Sequence, residues 1–136
     1  MPLIEWDGPR FSVEVKRFDD DHREMIRLIN DLHSAMKSGQ ARDILSSLTD
    51  KLADYAKLHI GDEETTMQRF GYPQLASHRQ EHAEFAERVA EIRQQAQAGD
   101  VVSAIDLLEF LQAWLFNHIL GTDRLYAPFF VARHVR

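Results

Sequence analysis

Along four stretches of the chain apolar residues recur at alternating spacings of three and four, the repeat of a helix that buries one face. The first stretch carries Phe18, Met25, Ile29, Leu32 and Met36. The second carries Leu45, Leu48, Leu52, Tyr55, Met67 and Phe70, and the third Leu75, Phe85, Val89 and Ile92. The fourth runs Val101, Ala104, Leu108, Leu111 and Leu115. Glycine and proline separate them at Ser38-Gly39, Gly71-Tyr72-Pro73 and Gly99-Asp100. The pattern predicts helices over about 18–38, 41–70, 74–98 and 101–120, preceded by an arm over 1–17 and followed by a C-terminal segment over 123–136. Short connections make consecutive helices antiparallel neighbours. The expected fold is therefore all-α, a single domain over 1–136 built as an up-down-up-down four-helix bundle.

The apolar faces are interrupted by polar residues at positions where leucine or isoleucine is expected. His22, His59, Glu63, His78, His82 and His118 all occupy that seam, and Asp123 follows closely. A buried polar group is costly unless something satisfies it, and a lone seam histidine is ordinarily just hydrogen-bonded in the core. The whole set has a further property. In an up-down-up-down bundle the starts of helices one and three meet the ends of helices two and four. All seven groups then fall at one end, within roughly two turns in depth at about 1.5 Å per residue. His33 shares the face of His22 but lies roughly 16 Å along the axis, too far to join them, and His134 is in the tail.

Composition narrows the chemistry. With no cysteine among 136 residues, iron–sulfur clusters, covalently attached haem and thiolate zinc sites are excluded. A formal net charge of -6 argues against a nucleic-acid surface. No run approaches about 18 apolar residues, so no span is expected, and with no apolar leader near the start the expected location is the cytoplasm. Imidazole and carboxylate suit iron, manganese or zinc, and bridging carboxylates favour a metal pair. Two octahedral ions need twelve positions. Five imidazoles fill five, two bridging carboxylates four and a bridging oxide or hydroxide two, which leaves one open. Spacing sets one condition on this list. His59 and Glu63, like His78 and His82, are four apart and share a helix face. His118 and Asp123 are five apart, about 140° on a regular helix, so the helix is expected to end or bulge near Gly121.

The set resembles the hemerythrin family, and bacteriohemerythrins in particular, over almost the whole chain. The residues that carry the resemblance are Trp6 in the arm, Asp19-Asp20-Asp21-His22, Asn30, His59-x-x-x-Glu63-Glu64-x-x-Met67, Gly71-Tyr72-Pro73, His78-x-x-x-His82 and Trp114-Leu115-x-x-His118-Ile119. It implies two irons bridged by Glu63, Asp123 and an oxide or hydroxide. His78, His82 and His118 would bind the saturated iron, and His22 and His59 the open one, where the family binds dioxygen reversibly. It also implies an oxygen pocket lined by Ile60, Met67, Trp114, Leu115 and Ile119, four of which spacing alone reads as ordinary core. Two positions depart from the pattern: Asp21 stands where glutamine often precedes the first histidine, and Ile60 where phenylalanine usually follows the second.

The expected role is an oxygen carrier or store, not an enzyme, with at most weak oxidase or peroxidase side activity. A di-iron oxidase or peroxidase is the competing class, but the Glu-x-x-His pairs of ferritin-like enzymes are absent. A sensor of oxygen or iron acting through a separate partner is the third. Dioxygen is the expected ligand, any recipient an oxygen-consuming protein, and the chain a monomer. Asp19, Asp20 and Asp21 read as ordinary acids at a helix start, Glu64 as solvated or supporting a ligand. Leu125-Tyr126-Ala127-Pro128-Phe129-Phe130-Val131 is expected to pack back over the bundle, with a docking patch for a partner or membrane as the alternative.

Overall fold

A computed structural model describes residues 2–98 and 104–136. The Gly99-Asp100 turn and the start of the fourth helix at Val101 lie outside the described residues. A short α1 (Gly8–Phe11) in the arm precedes the long helices α2 (Lys16–Lys37), α3 (Ala41–Phe70) and α4 (Leu75–Gln97). The fourth leg is composite. It begins as α5 (Ala104–Ala113), widens into a π-helix over Trp114–Thr122, tightens to a 3₁₀ turn over Asp123–Tyr126 and ends in α6 (Ala127–Ala132). α3 packs between α2 and α4, and α5 closes the bundle against α2. The result is an up-down-up-down antiparallel bundle, with no strand among the described residues.

The turns follow from local chemistry. Gly39 and Gly71 adopt left-handed backbone (φ 74° and 72°), which an L side chain resists. Each helix end is then closed by a six-residue bond, Gln40 N–H to Ala35 O and Tyr72 N–H to Met67 O. Pro128 sits in the first turn of α6, where its missing N–H costs nothing.

Two apolar clusters flank the histidine layer. The larger fills the bundle from Met25, Ile29, Leu32, Leu52, Phe85, Leu111, Leu115 and Ile119. The smaller caps the other side and joins Phe18, Met67 and Tyr72 to Tyr126, Ala127 and Phe130 of the C-terminal segment. That segment does pack back over the bundle, with Leu125 and Val131 left exposed. The arm is tied down as well: Asn30 exchanges two hydrogen bonds with the backbone of Ile4 (2.9 and 2.8 Å), and Arg23 lies over the Trp6 ring. Among the described residues no helix is long and apolar enough to cross a membrane.

Candidate metal centre

The polar layer between the two clusters consists of His22 from α2, His59 and Glu63 from α3, His78 and His82 from α4, His118 from the π-helix and Asp123 from the turn after it. All seven are buried. His33 is half-buried elsewhere on α2, and His134 is exposed.

The five-residue spacing of His118 and Asp123 is reconciled by the π-helix. Its hydrogen bonds run from residue i+5 to residue i, and the Asp123 N–H bonds to the carbonyl of His118. Residues five apart therefore stack, and Asp123 turns inward. Sequence reasoning placed the irregularity at Gly121, whereas the π-turns begin at Trp114. Gly121 itself is exposed, and a Cβ built there meets only the Phe116 carbonyl at 3.9 Å, so glycine is not what makes the bulge.

The carboxylates divide their oxygens between two groups. Oε1 of Glu63 lies 3.0 Å from His78 Nε2 and 3.1 Å from His82 Nε2. Oδ1 of Asp123 lies 2.8 Å from His78 Nε2 and 2.9 Å from His118 Nε2. The second oxygens face the other way. Glu63 Oε2 is 3.2 Å from His59 Nε2 and 3.6 Å from His22 Nε2, and Asp123 Oδ2 is 3.1 Å from His22 Nε2. Two groups of donors capable of holding a cation result, Glu63-His78-His82-His118-Asp123 and His22-His59-Glu63-Asp123. The two carboxylates belong to both.

These separations fit ligation better than mutual hydrogen bonding. First-row divalent ions hold imidazole nitrogen and carboxylate oxygen at about 2.0–2.2 Å, as zinc does, so two donors at right angles stand about 3.0 Å apart. Neither oxygen of Asp123 has an aligned hydrogen bond despite three imidazole nitrogens within 3.1 Å. Buried polar atoms left in that state are rare and call for an explanation. Donors aimed at a shared point supply it.

A second row of acids fixes which nitrogen faces inward. His59 Nδ1 meets Asp21 Oδ2 at 2.7 Å, His82 Nδ1 meets Glu64 Oε2 at 2.8 Å, and His118 Nδ1 meets Glu81 Oε1 at 3.0 Å. Each carboxylate accepts from an Nδ1–H, which leaves the Nε2 lone pair pointing into the layer. The Nε2 atoms of His82 and His118 then face one another at 3.1 Å, an arrangement a shared cation relieves. Tyr126, wholly buried, donates to Glu63 Oε2 at 2.8 Å.

Without an ion the layer is an electrostatic cluster. Burial disfavours charge on His59, but the Glu63 carboxylate and the bonds to Asp21 and Glu63 outweigh it and push His59 up to about 10. His78 is pushed up to about 9, burial being overcome by Asp123 and Glu63, and His22 is raised by the same two carboxylates. Glu63 is held well below the usual carboxylate range, because His59, His22 and His78 outweigh its burial. Asp123 is lowered too, by His118 and His22, against burial and the charge of Glu63. Burial and the two carboxylates push the phenol of Tyr126 well above its ordinary range.

The chain belongs to the hemerythrin family. It matches the hemerythrin HHE cation binding domain over residues 13–130. It is 34% identical to the bacteriohemerythrin of Methylococcus capsulatus over 128 residues, 94% of this chain and 97% of that one. It is 39% identical to the bacteriohemerythrin of Stenotrophomonas maltophilia over 93% of this chain and 81% of that one. A crystal structure of wild-type hemerythrin superposes with a TM-score of 0.84 at 33% identity, covering 93% of this chain and 96% of the other. A hemerythrin-type, oxygen-binding di-iron function comes with that membership.

Within the hemerythrin framework some sequence expectations change. Ile60, Leu115 and Ile119 share the large apolar cluster, but Met67 lies in the smaller cluster with Tyr72 and Tyr126. Trp114 stacks face-on against His118 (3.9 Å, 11°), on the three-histidine side, and meets Phe85 at a tilt (4.4 Å, 32°). Trp114 also packs against the large cluster that holds Ile60, Leu115 and Ile119, so of the five expected lining residues Met67 alone belongs to the smaller one. The run Asp19-Asp20-Asp21 is more than helix-start acidity. Asp19 accepts from Ser12 Oγ and the Val13 N–H and so holds the arm, Asp20 pairs with Lys16 and Arg23, and Asp21 backs His59. Glu81 carried no role in the sequence, and Tyr126 only that of packing back over the bundle. A usable signal was present, because each supporting acid is the chain neighbour of one seam residue and serves the histidine of an adjoining helix. Asp21, beside His22, reaches His59. Glu64, beside Glu63, reaches His82, and Glu81, beside His82, reaches His118.

Proposed function

We propose that this chain reversibly binds dioxygen at a pair of irons, as a carrier or store and not as an enzyme. His78, His82 and His118 would hold one iron, His22 and His59 the other, and Glu63 and Asp123 would serve both. The observation that carries this reading is the division of carboxylate oxygens, one from each acid facing three histidines and one facing two. When bound, the iron pair supplies the electrons with which dioxygen is held.

The chain's residues do the rest. Seven donors and a solvent-derived bridge would leave a metal pair one position on the side with two histidines, which suits one diatomic molecule and not a bulky substrate beside it. Tyr55 stacks on His59 (4.8 Å) and Phe18 meets the same ring edge-on, which fixes that imidazole. Leu115 and Ile119, fully buried, place apolar surface beside the layer and keep water from supplying protons. Tyr126 holds Glu63 Oε2 on the two-histidine side through its hydroxyl hydrogen. The chain functions as one hemerythrin-like domain over 1–136, a cytoplasmic monomer that hands oxygen to a separate oxygen-consuming protein.

The test is anaerobic reduction of the iron-loaded protein followed by cycles of oxygen and argon, with iron content and visible spectrum recorded. Two irons per chain and a band that appears and disappears over several cycles are expected. Irreversible bleaching on the first exposure, with a co-substrate oxidised, refutes the carrier reading. Fewer than two metals bound refutes the ligand assignment.

A further inference from the structure

The two sides of the centre are supported unequally. On the three-histidine side His78 Nδ1 has no hydrogen-bond partner, and His82 and His118 each have a carboxylate on Nδ1, but both carboxylates are shared. Glu64 also accepts from Arg79 (3.3 Å), and Glu81 also accepts from Thr122 Oγ1 (3.0 Å). On the two-histidine side His22 Nδ1 has no hydrogen-bond partner, and His59 has Asp21 alone. Asp21 Oδ2 approaches His59 Nδ1 at 2.7 Å, and among the described residues no cation pairs with it.

We propose that Asp21 sets how readily the metal on the two-histidine side gives up an electron, acting through His59 and not as a ligand. This rests on the assignment of His22 and His59 to one iron. A carboxylate on the distal nitrogen of a ligating imidazole draws the Nδ1 proton toward itself and makes Nε2 a stronger donor. Added negative charge favours the ferric over the ferrous ion, so the reduction potential of that iron falls. The His59 ring is positioned independently, by Tyr55 on its face, Phe18 on its edge and its own helix. Removing the charge of Asp21 therefore changes electronics with little change in geometry. Its side chain is 39% exposed, and water screens the effect to moderate size.

Outer partners of this kind typically change metal binding by about 10–100-fold. At the lower figure, applied to the ferric ion only, the shift is about 59 mV for a one-electron couple. The experiment compares wild type, Asp21→Asn, Asp21→Ala and Glu64→Gln, all iron-loaded, by spectroelectrochemical titration with iron counted in each. Asp21→Asn keeps an oxygen acceptor for Nδ1–H and loses only the charge. It is expected to raise the potential of one iron by about 59 mV while still holding two irons, and Asp21→Ala to raise it at least as far. Glu64→Gln is expected to move the other iron. An Asp21→Asn protein with two irons and the wild-type potential overturns the proposal, and so does a shift seen only in Asp21→Ala, since orientation would then be the whole effect. Wild-type protein that binds fewer than two irons overturns the underlying assignment instead. Far-ultraviolet circular dichroism of each variant separates these outcomes from misfolding.

Discussion

Removing one hydroxyl should show how far the fold depends on charge held inside it. Tyr126 and Glu63 are both wholly buried and joined by a 2.8 Å hydrogen bond, with the phenol donating to a carboxylate. Tyr126→Phe deletes the hydroxyl and keeps the ring, whose neighbours Phe18, Phe130 and His78 remain at 5.7, 5.1 and 5.8 Å. A hydrogen bond to a charged group contributes about 1.5–3 kcal/mol net, against 0.5–1.5 for a neutral pair. Glu63 Oε2 keeps His59 at 3.2 Å, so the lower half of the charged range applies, about 2 kcal/mol. That is roughly 30-fold in the unfolding equilibrium, and about 8 °C in Tm for a chain of this size. The assay is urea unfolding at pH 7, on chelator-stripped protein and on protein loaded with two metals. In the loaded state metal charge offsets that of Glu63, so the loss should fall to about 1 kcal/mol. Equal losses in both states, or a loss below about 0.5 kcal/mol in the stripped protein, would refute the claim that the phenol stabilises a buried carboxylate charge.

Other consequences are open to measurement. Gly121→Ala should retain both metals and stabilise the protein by about 0.5–1 kcal/mol, read by thermal melts, because the added Cβ meets only ordinary contact at 3.9 Å. Loss of metal in that variant would restore glycine as the cause of the π-turns. Leu115→Ala, at a position with no exposure, should cost about 2–5 kcal/mol in urea unfolding, and a cost under about 1 kcal/mol would mean the apolar layer collapses to fill the gap. In the metal-free protein His59 and His78, raised to about 10 and 9, hold protons at pH 7 that iron must displace. Iron uptake should then acidify an unbuffered solution, and uptake without proton release refutes the charge state. Linkage fixes the sign for stability. The stabilisation from these two raised groups is fully present below their ordinary 6.5 and lost as pH rises through about 9 to 10. Stripped protein that becomes more stable between pH 7 and 10 contradicts it.

The seven-residue polar layer was legible because the positions of metal-holding side chains in a bundle are constrained twice. A ligand must lie on the buried seam, and it must lie at the depth where the other ligands meet. His59 and Glu63 satisfy both through helix periodicity, as do His78 and His82. The supporting acids meet the second constraint but not the first, since each stands beside a seam residue in the chain and shares its depth without facing the core. Asp21 and Glu81 project from their helices at a partly solvated angle, which is where surface charge is commonplace. Adjacency to the seam marks them as candidates, and the three-dimensional neighbourhood shows which histidine of another helix each one reaches. Met67 stands apart from the other expected lining residues for a related reason. Its spacing puts it on the seam but does not say on which side of the polar layer it falls, and the two apolar clusters divide there.

The fourth leg shows why an irregular spacing carried more information than a regular one. On an α-helix, residues at i and i+4 meet with no adjustment, so His78 and His82 would be placed alike in a bundle with or without metal. A histidine and an aspartate five apart would diverge, and bringing both inward requires i+5 bonding, which the chain sustains from Trp114 to Thr122. π-helix is rare and concentrates at functional sites, because its backbone packs less favourably than α. The turns that follow extend the consequence. Asp123 opens a 3₁₀ turn that ends in Tyr126, and that turn carries the phenol back to Glu63. One backbone departure thus aims Asp123 from one end and supports Glu63 from the other, and these are the two residues that face both groups of histidines.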